Sequence, residues 1–121
     1  MGVQSIQGTA VEVGGEGILI LGLPGSGKSE LALMLIEEGG TLIADDLVIV
    51  EACRGRLFAR SPDAAIGMMH LRDLGLTRCP VAAQPTALSL VVELGGPVER
   101  PGPGASVPIA GLRLPMIGLS G

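Results

Sequence analysis

The residues GLPGSGKS at positions 22–29 are the part of this 121-residue chain whose types and spacing point most directly to chemistry. They match the pattern G-x-x-x-x-G-K-[ST], in which glycines let backbone N–H groups approach a phosphate at a helix N-terminus. Lys28 would reach the β- and γ-phosphates, and the Ser29 hydroxyl would ligate Mg²⁺. The pattern predicts a phosphate-binding loop; a glycine-rich turn that matches by chance is the alternative. The predicted nucleotide-binding residues are Gly22, Pro24, Gly25, Ser26, Gly27, Lys28, Ser29 and Glu30.

Asp45 and Asp46 are the second candidate group, at the end of an apolar strand predicted over residues 41–44. A strand-end aspartate commonly orders Mg²⁺ beside a phosphate-binding loop. In extended backbone two adjacent carboxylates face opposite sides, so one can serve the metal while the other meets an attacking hydroxyl. A solvated turn or a helix cap is the alternative. A rival metal-binding strand at 88–93 ends in Glu93, but it lies far from the loop in sequence and two glycines follow it.

His70 and Arg72 are the remaining candidates. A lone histidine is more often packed or capping than a ligand. Arg72 is either a clamp for a phosphate or a surface charge paired with Asp73.

The elements that must position these residues follow from apolar patterning and turn signals. A strand at 17–21 precedes the loop and a helix at 30–38 follows it, with Leu31, Ala32, Leu35 and Ile36 on its core-facing stripe. A first strand at 6–13 and a turn at 14–17 make a hairpin, so the sheet should be mixed. Residues 47–50 continue the strand at 41–44 or begin the next one. A helix should begin at Ser61 and run to about residue 71. The remaining predicted elements are a turn at 54–56 that leads into residues 57–59, a strand at 87–94, a Gly- and Pro-rich loop at 95–106 and a last hairpin at 107–115.

Composition limits the classes of function. The chain is 47% hydrophobic with a mean hydropathy of +0.56, so we expect one domain (1–121) with strands buried on both faces or a surface that another subunit covers. A net charge of −4 and a single aromatic residue argue against a nucleic-acid partner. Cys53 and Cys79 lack metal-ligand spacing and should be free thiols in a reducing compartment. Without a signal peptide or a long apolar run, we expect a cytoplasmic protein with no membrane partner.

Residues 22–30 followed by LIADD at 42–46 resemble the catalytic domain of HPr kinase/phosphorylase, the bacterial regulator of the phosphotransferase system. In that family the loop reads GxxGxGKSE and the next strand ends in ADD at close to this spacing. The resemblance runs from about residue 6 to residue 119 and is strongest to the short alphaproteobacterial forms without the N-terminal domain. It implies an α/β fold of the HPr kinase/phosphoenolpyruvate carboxykinase type, a mixed β-sheet that contains a P-loop and has few helices.

The resemblance also implies an activity and a role for each residue. The family uses ATP and Mg²⁺ to phosphorylate a serine of the carrier protein HPr, and it reverses the reaction by phosphorolysis. Asp45 would be the general base, and the acid in the reverse reaction. Asp46 and Ser29 would support the metal, while Lys28 and Arg72 would act on the phosphates. HPr would be the partner, and the family's hexamers imply a homo-oligomer.

This chain departs from the family pattern at three places. Gln7 stands where the family has a histidine that partners the catalytic aspartate. In the later signature, which resembles Glu-x-Arg-Gly-x-Gly, His70 replaces the acid and Asp73 replaces a glycine, while Arg72 and Gly75 match. The family continues past the hairpin into a C-terminal helical region that helps to bind HPr and to assemble hexamers. A nucleotide-binding regulator with weak or no turnover is therefore the alternative function. A small-molecule kinase is a weaker one, since no Arg-rich lid segment follows the core.

Overall fold

Strands make up most of the fold, and the described part of the chain contains one α-helix. The computed structural model describes residues 2–71, 74–95 and 104–119. The elements, in chain order, are β1 (Val3–Val13), β2 (Glu16–Gly22), α1 (Lys28–Glu37), β3 (Thr41–Cys53), β4 (Arg56–Arg60), β5 (Met68–Leu71), β6 (Gly75–Arg78), β7 (Thr86–Leu94), β8 (Ser106–Ile109) and β9 (Leu112–Leu119). The predicted first and last hairpins and the strand at 87–94 are confirmed. Of the loop predicted at 95–106, residues 96–103 lie outside the described part.

The main sheet is mixed, as the hairpin before the loop predicts. Its strand order is β2-β1-β3-β4-β7-β9-β8, and β2 also pairs with β7. The β2–β7 and β7–β9 pairs are parallel, whereas the other pairs in this sheet are antiparallel. Because β2 meets both β1 and β7, five strands (β1, β2, β3, β4 and β7) close into a ring and so leave few free edges. β5 and β6 form a separate two-stranded sheet.

Both faces of several strands are buried, which accounts for the apolar composition. Successive side chains of a strand face opposite sides, and neighbours such as Leu19 and Ile20 accordingly belong to two different apolar clusters. One cluster is built mainly from the ring strands and includes Ala10, Leu19, Val48, Val50, Leu57, Ala59 and Val91. The other lies beneath α1 and the β5–β6 sheet and includes Val11, Ile20, Ala32, Leu42, Met69 and Val92. The expectation of strands buried on both faces is therefore confirmed.

Helix α1 begins two residues before the predicted start and packs with the predicted stripe. Ala32 is fully buried, and Leu31, Leu35 and Ile36 are half-buried against the second cluster. Gly39 has a φ of 111°, a left-handed conformation that glycine adopts without strain, and it follows the end of the helix. The paired glycines thus end the helix as predicted.

The helix predicted from Ser61 to about residue 71 is wrong. Asp63–Ala65 form a single 3-10 turn, and the Ser61 hydroxyl donates to the Pro62 carbonyl instead of capping a helix. Gly67 then adopts a φ of 78°, and β5 pairs with β6 in antiparallel register. The Ser-Pro-Asp signal therefore starts one turn only, and strand pairing determines the conformation of the following residues.

Asp45 and Asp46 (here the acidic pair) lie inside a strand, not at the end of one. β3 continues through Asp45 and Asp46 to Cys53, so residues 47–50 continue it and the solvated turn and helix cap are excluded. Asp46 has a φ of 72°, a left-handed conformation that aspartate tolerates better than most residues. The strand is thus locally irregular at the acidic pair.

Candidate functional site

The segment between β2 and α1 (residues 22–29, here the glycine loop) owes its shape to its glycines. Gly25 and Gly27 have φ values of 82° and 101°, in the left-handed region that favours glycine. A Cβ on Gly22 would lie 2.3 Å from Ser26 Oγ and 3.0 Å from the Leu94 carbonyl oxygen, so a larger residue would collide there. The Leu31 N–H donates to the Gly27 carbonyl and begins the helix. The loop therefore places a helix N-terminus directly after a tight turn.

Lys28 and Ser26, two of the three polar residues of the glycine loop, place polar groups at this turn. Lys28 Nζ donates to the carbonyl oxygens of Gly22 and Leu23, at 2.8 and 3.2 Å. Ser26 Oγ is buried and has no hydrogen-bond partner among the residues that the structure describes. An amine, a free hydroxyl and the N–H groups of a helix start are all donors that a phosphate accepts. The chemistry of the loop therefore fits a phosphate group.

The Asp45 carboxylate is held at both oxygens. Thr9 Oγ1 donates to Oδ1 at 2.9 Å, and the backbone N–H of His70 donates to Oδ2 at 3.0 Å. Thr9 lies directly opposite Asp45 in the β1–β3 pairing, whereas Gln7 lies opposite Leu47. The sequence reasoning missed Thr9. The available signal was its spacing, since it lies two residues after Gln7 and so shares a strand face with it.

One cavity brings most of the predicted site residues together. It has a volume of about 800 Å³ and extends from the glycine loop to the acidic pair. Its lining includes Gln7, Thr9, Gly22, Pro24, Lys28, Ser29, Asp45, Asp46, Met68, His70 and Leu76. A smaller cavity of about 380 Å³ shares Lys28, Ser29 and His70 with it and adds Gly25, Gly27 and Glu30. Glu93, the rival metal ligand, is among the lining residues of neither.

His70 and Arg72 differ from the sequence expectations in different ways. His70 lies on β5, and its exposed side chain borders both cavities, so the expectation of a packed or capping histidine is wrong. Its contact with Asp45 comes from the backbone, which makes that contact independent of the side chain at position 70. Arg72 and Asp73 lie outside the described residues.

Few oxygen ligands for a metal lie beside the glycine loop, and such a site suits Mg²⁺. No group of three or more His, Cys, Asp or Glu side chains able to hold a metal ion occurs within residues 2–71, 74–95 and 104–119. Mg²⁺ typically takes one or two carboxylates, waters and the oxygens of a bound phosphate. Ser29 and Asp46, which carry a hydroxyl and a carboxylate, line one cavity with the loop, so this pair of residues fits Mg²⁺ that accompanies a phosphate ligand.

Two further features bear on the expectations about thiols and membranes. Cys53 and Cys79 are both free thiols, as predicted. Burial, together with the negative charge of nearby Asp45, raises the pKa of the Cys79 thiol. Within the described part of the chain, no helix has the length and the apolarity that crossing a membrane requires.

Comparison with known proteins agrees with the motifs. Residues 2–83 match the family model of the HPr Serine kinase C-terminal domain. The HPr kinase/phosphorylase of Clostridium beijerinckii is 46% identical over 71 residues, which cover 59% of this chain and 24% of that protein. The HPr kinase/phosphorylase of Clostridium tetani is 45% identical over 75 residues, with coverages of 62% and 25%. The matched segment thus spans about a quarter of the length of these relatives.

A solved structure supports the same assignment at the level of the fold. The Hpr(Ser) kinase/phosphatase from Coxiella burnetii superposes with a TM-score of 0.86 at 24% identity, over 97% of this chain and 85% of that chain. The mixed, strand-rich architecture with few helices is therefore one that a kinase/phosphatase of this name also has. Since the family model covers more than half of the sequence, the chain belongs to the HPr serine kinase C-terminal domain family.

Proposed function

We propose that this chain is an ATP-dependent serine kinase domain that phosphorylates an HPr-type phosphocarrier protein and also catalyses the reverse phosphorolysis. The observation that carries the proposal is that Lys28, Ser29, Asp45 and Asp46 line one cavity. Phosphoryl transfer requires positioned phosphates, charge neutralisation and a proton acceptor near the attacking hydroxyl. The names of the curated relatives, HPr kinase/phosphorylase, support the same reaction.

The glycine loop would hold the nucleotide. Its backbone N–H groups and the Lys28 amine would bind the phosphates, and the Ser26 hydroxyl, which has no partner among the described residues, is a further donor. Ser29 and Asp46 would hold Mg²⁺, which supplies neutralisation of the charge on the phosphate oxygens. Arg72, which matches the family signature, would be a second cation for the phosphates.

Asp45 would accept the proton of the substrate serine. A carboxylate has about four lone-pair sites, so two hydrogen bonds leave acceptor capacity for a hydroxyl. As the serine oxygen bonds to the γ-phosphorus and the bond to the β,γ-bridging oxygen breaks, the serine proton passes to Asp45. In phosphorolysis, an oxygen of inorganic phosphate would attack the phosphoserine phosphorus as the bond from phosphorus to the serine oxygen breaks. Asp45 would return the proton to that oxygen, so that serine and pyrophosphate form.

We also propose a partner, a compartment and an oligomeric state for the protein. The partner is HPr, the compartment is the cytoplasm, and the chain works as a homo-oligomer, a hexamer by family resemblance. Leu74 and Leu76, each 71% exposed, supply apolar surface that supports self-association.

In the decisive experiment, the protein is incubated with Mg-ATP and purified HPr, and phosphoserine on HPr is measured by mass spectrometry. We expect transfer by the wild type and a loss of about 10²- to 10⁴-fold in Asp45→Asn, the usual contribution of a general base. Glu51→Gln is the matched control because it neutralises an exposed carboxylate on the same strand. Transfer that persists undiminished in Asp45→Asn would refute the role of Asp45.

A regulator that binds nucleotide without turnover is the second candidate. Asp45 is bonded by a neutral hydroxyl and a backbone N–H, and Gln7, in place of the family's histidine, cannot titrate. Binding of Mg-ATP with no phosphoserine on HPr would support this candidate. A Gln7→His variant without a gain in rate would show that the glutamine is harmless to catalysis.

A further inference from the structure

Thr9 is a fully buried polar side chain, 1% exposed, in a strand whose other buried residues are apolar or glycine. A buried hydroxyl requires a hydrogen-bond partner, and the partner of Thr9 is Asp45 Oδ1. We infer that Thr9 is a positioning residue that fixes the Asp45 carboxylate for proton transfer, an inference that rests on the proposed kinase function.

The register of the sheet makes this contact specific to position 9. Residues directly opposite each other in an antiparallel pair have Cβ atoms about 4.5–5.5 Å apart, and diagonal neighbours are farther away. Thr9 is directly opposite Asp45, whereas Gln7 is opposite Leu47 and exposed. A short hydroxyl side chain therefore reaches the carboxylate from Thr9.

Each of the two hydrogen-bond donors to Asp45 orients one of its carboxylate oxygens. The His70 N–H fixes Oδ2 and belongs to the backbone, so it is present with any residue except proline at position 70. The contact to Oδ1 depends on the side chain of residue 9 alone. Without the hydrogen bond from Thr9, the carboxylate can rotate about its remaining hydrogen bond. A misplaced base lowers the rate of the chemical step more than it weakens the binding of nucleotide.

A closely matched control exists in the same pair of strands. Thr41 Oγ1 donates to the Glu12 carboxylate at 2.7 Å across β1 and β3, and neither residue lines the large cavity. Thr41→Val thus removes the same kind of hydrogen bond between the same strands at a distance from the proposed chemistry.

The test compares Thr9→Val, Thr9→Ala and Thr9→Ser with Thr41→Val in the HPr phosphorylation assay. We expect kcat to fall about 10- to 100-fold in Thr9→Val and Thr9→Ala, with the KM for ATP changed less than about 2-fold. Thr9→Ser keeps the hydroxyl and should keep kcat within about 3-fold of the wild type, as should Thr41→Val. An unchanged kcat in Thr9→Val, or a loss in Thr9→Ser as large as that in Thr9→Val, would overturn the inference.

Crystal structures separate this inference from the proposed function. If the wild type transfers no phosphate, the kinase proposal fails, and the orientation of Asp45 in crystals of the wild type and Thr9→Val still decides the positioning role. A carboxylate that rotates away from its wild-type position in Thr9→Val supports that role. A carboxylate that stays in place refutes it.

Discussion

Lys28 Nζ lies 2.8 Å from the Gly22 carbonyl oxygen, so the first residue of α1 is bonded to the last residue of β2 across the glycine loop. The amine donates to Leu23 as well, at 3.2 Å. The charge of Lys28 is therefore held beside the turn where the loop would receive a phosphate.

Lys28 is the only lysine in the sequence, which allows a direct chemical test. We expect bound Mg-ATP to protect its amine from acetylation, because the phosphates would occupy its one remaining hydrogen-bond donor. Peptide mass spectrometry measures the modification, with the N-terminal amine as an internal reference.

Lys28→Met should weaken nucleotide binding by about 10-fold or more, the scale of a lost charge-assisted hydrogen bond. Arg56→Met, which removes an exposed charge at the start of β4, should leave the affinity unchanged, and equal weakening in both variants would contradict the prediction.

Asp46→Asn should raise the Mg²⁺ concentration needed for nucleotide binding while leaving the fold intact. Asparagine tolerates the left-handed conformation that Asp46 adopts, at a φ of 72°, but it lacks the charge of a Mg²⁺ ligand. Asp46→Ala should share the metal defect and also lose about 1 kcal/mol of stability, since alanine is strained at positive φ. Titration of Mg²⁺ during ATP binding measures the first effect and urea unfolding the second. An unaltered Mg²⁺ requirement in both variants would show that Asp46 does not hold the ion.

Glu12 should stabilise the fold above pH 4.5 and contribute less in acid. Its carboxylate accepts hydrogen bonds from the Thr41 hydroxyl and the Gly15 N–H, and both lower its pKa below the ordinary value of 4.5. Because the folded pKa is the lower one, this contribution is present above pH 4.5 and is lost as the pH falls through the folded value. Glu12→Gln should therefore be less stable than the wild type at pH 7, and the difference should shrink by about pH 3. Urea unfolding at both pH values measures the difference in stability between the two proteins. A difference that grows in acid would contradict the prediction.

The two free thiols should differ in reactivity. Cys53 is exposed at the end of β3, whereas Cys79 is buried, and burial with the nearby Asp45 charge raises its pKa. The thiolate is the reactive form, so a raised pKa and poor access both slow alkylation of Cys79. Iodoacetamide at pH 8 should label Cys53 first and reach Cys79 only after unfolding. The Cys53→Ser variant provides the control, and rapid labelling of this variant in the native state would contradict the assignment.

Local patterns predicted the strand, glycine loop and helix correctly because each signal lies within a few residues. The apolar run before Gly22, the glycines of the loop and Gly39 after the helix act on their own stretch of backbone. The Ser61 helix signal was also local, but it was sufficient for one turn only. Beyond Gly67 the alternation of exposed and buried side chains in β5 is stabilised by pairing with β6, a tertiary interaction that overrides the capping signal.

The sequence by itself determined the residue types and spacing that predict a phosphate site and the carboxylates beside it, because residue type and spacing specify donors and acceptors. Only the tertiary structure decided that β2 pairs with β7 to close the ring, and that Thr9, 36 positions before Asp45, is its hydrogen-bond partner. Register between distant strands arises from the burial of two apolar faces at once, and no short window of sequence contains both strands. The glycine loop and the acidic pair thus follow from composition and spacing, whereas the orientation of Asp45 follows from the packing of the sheet.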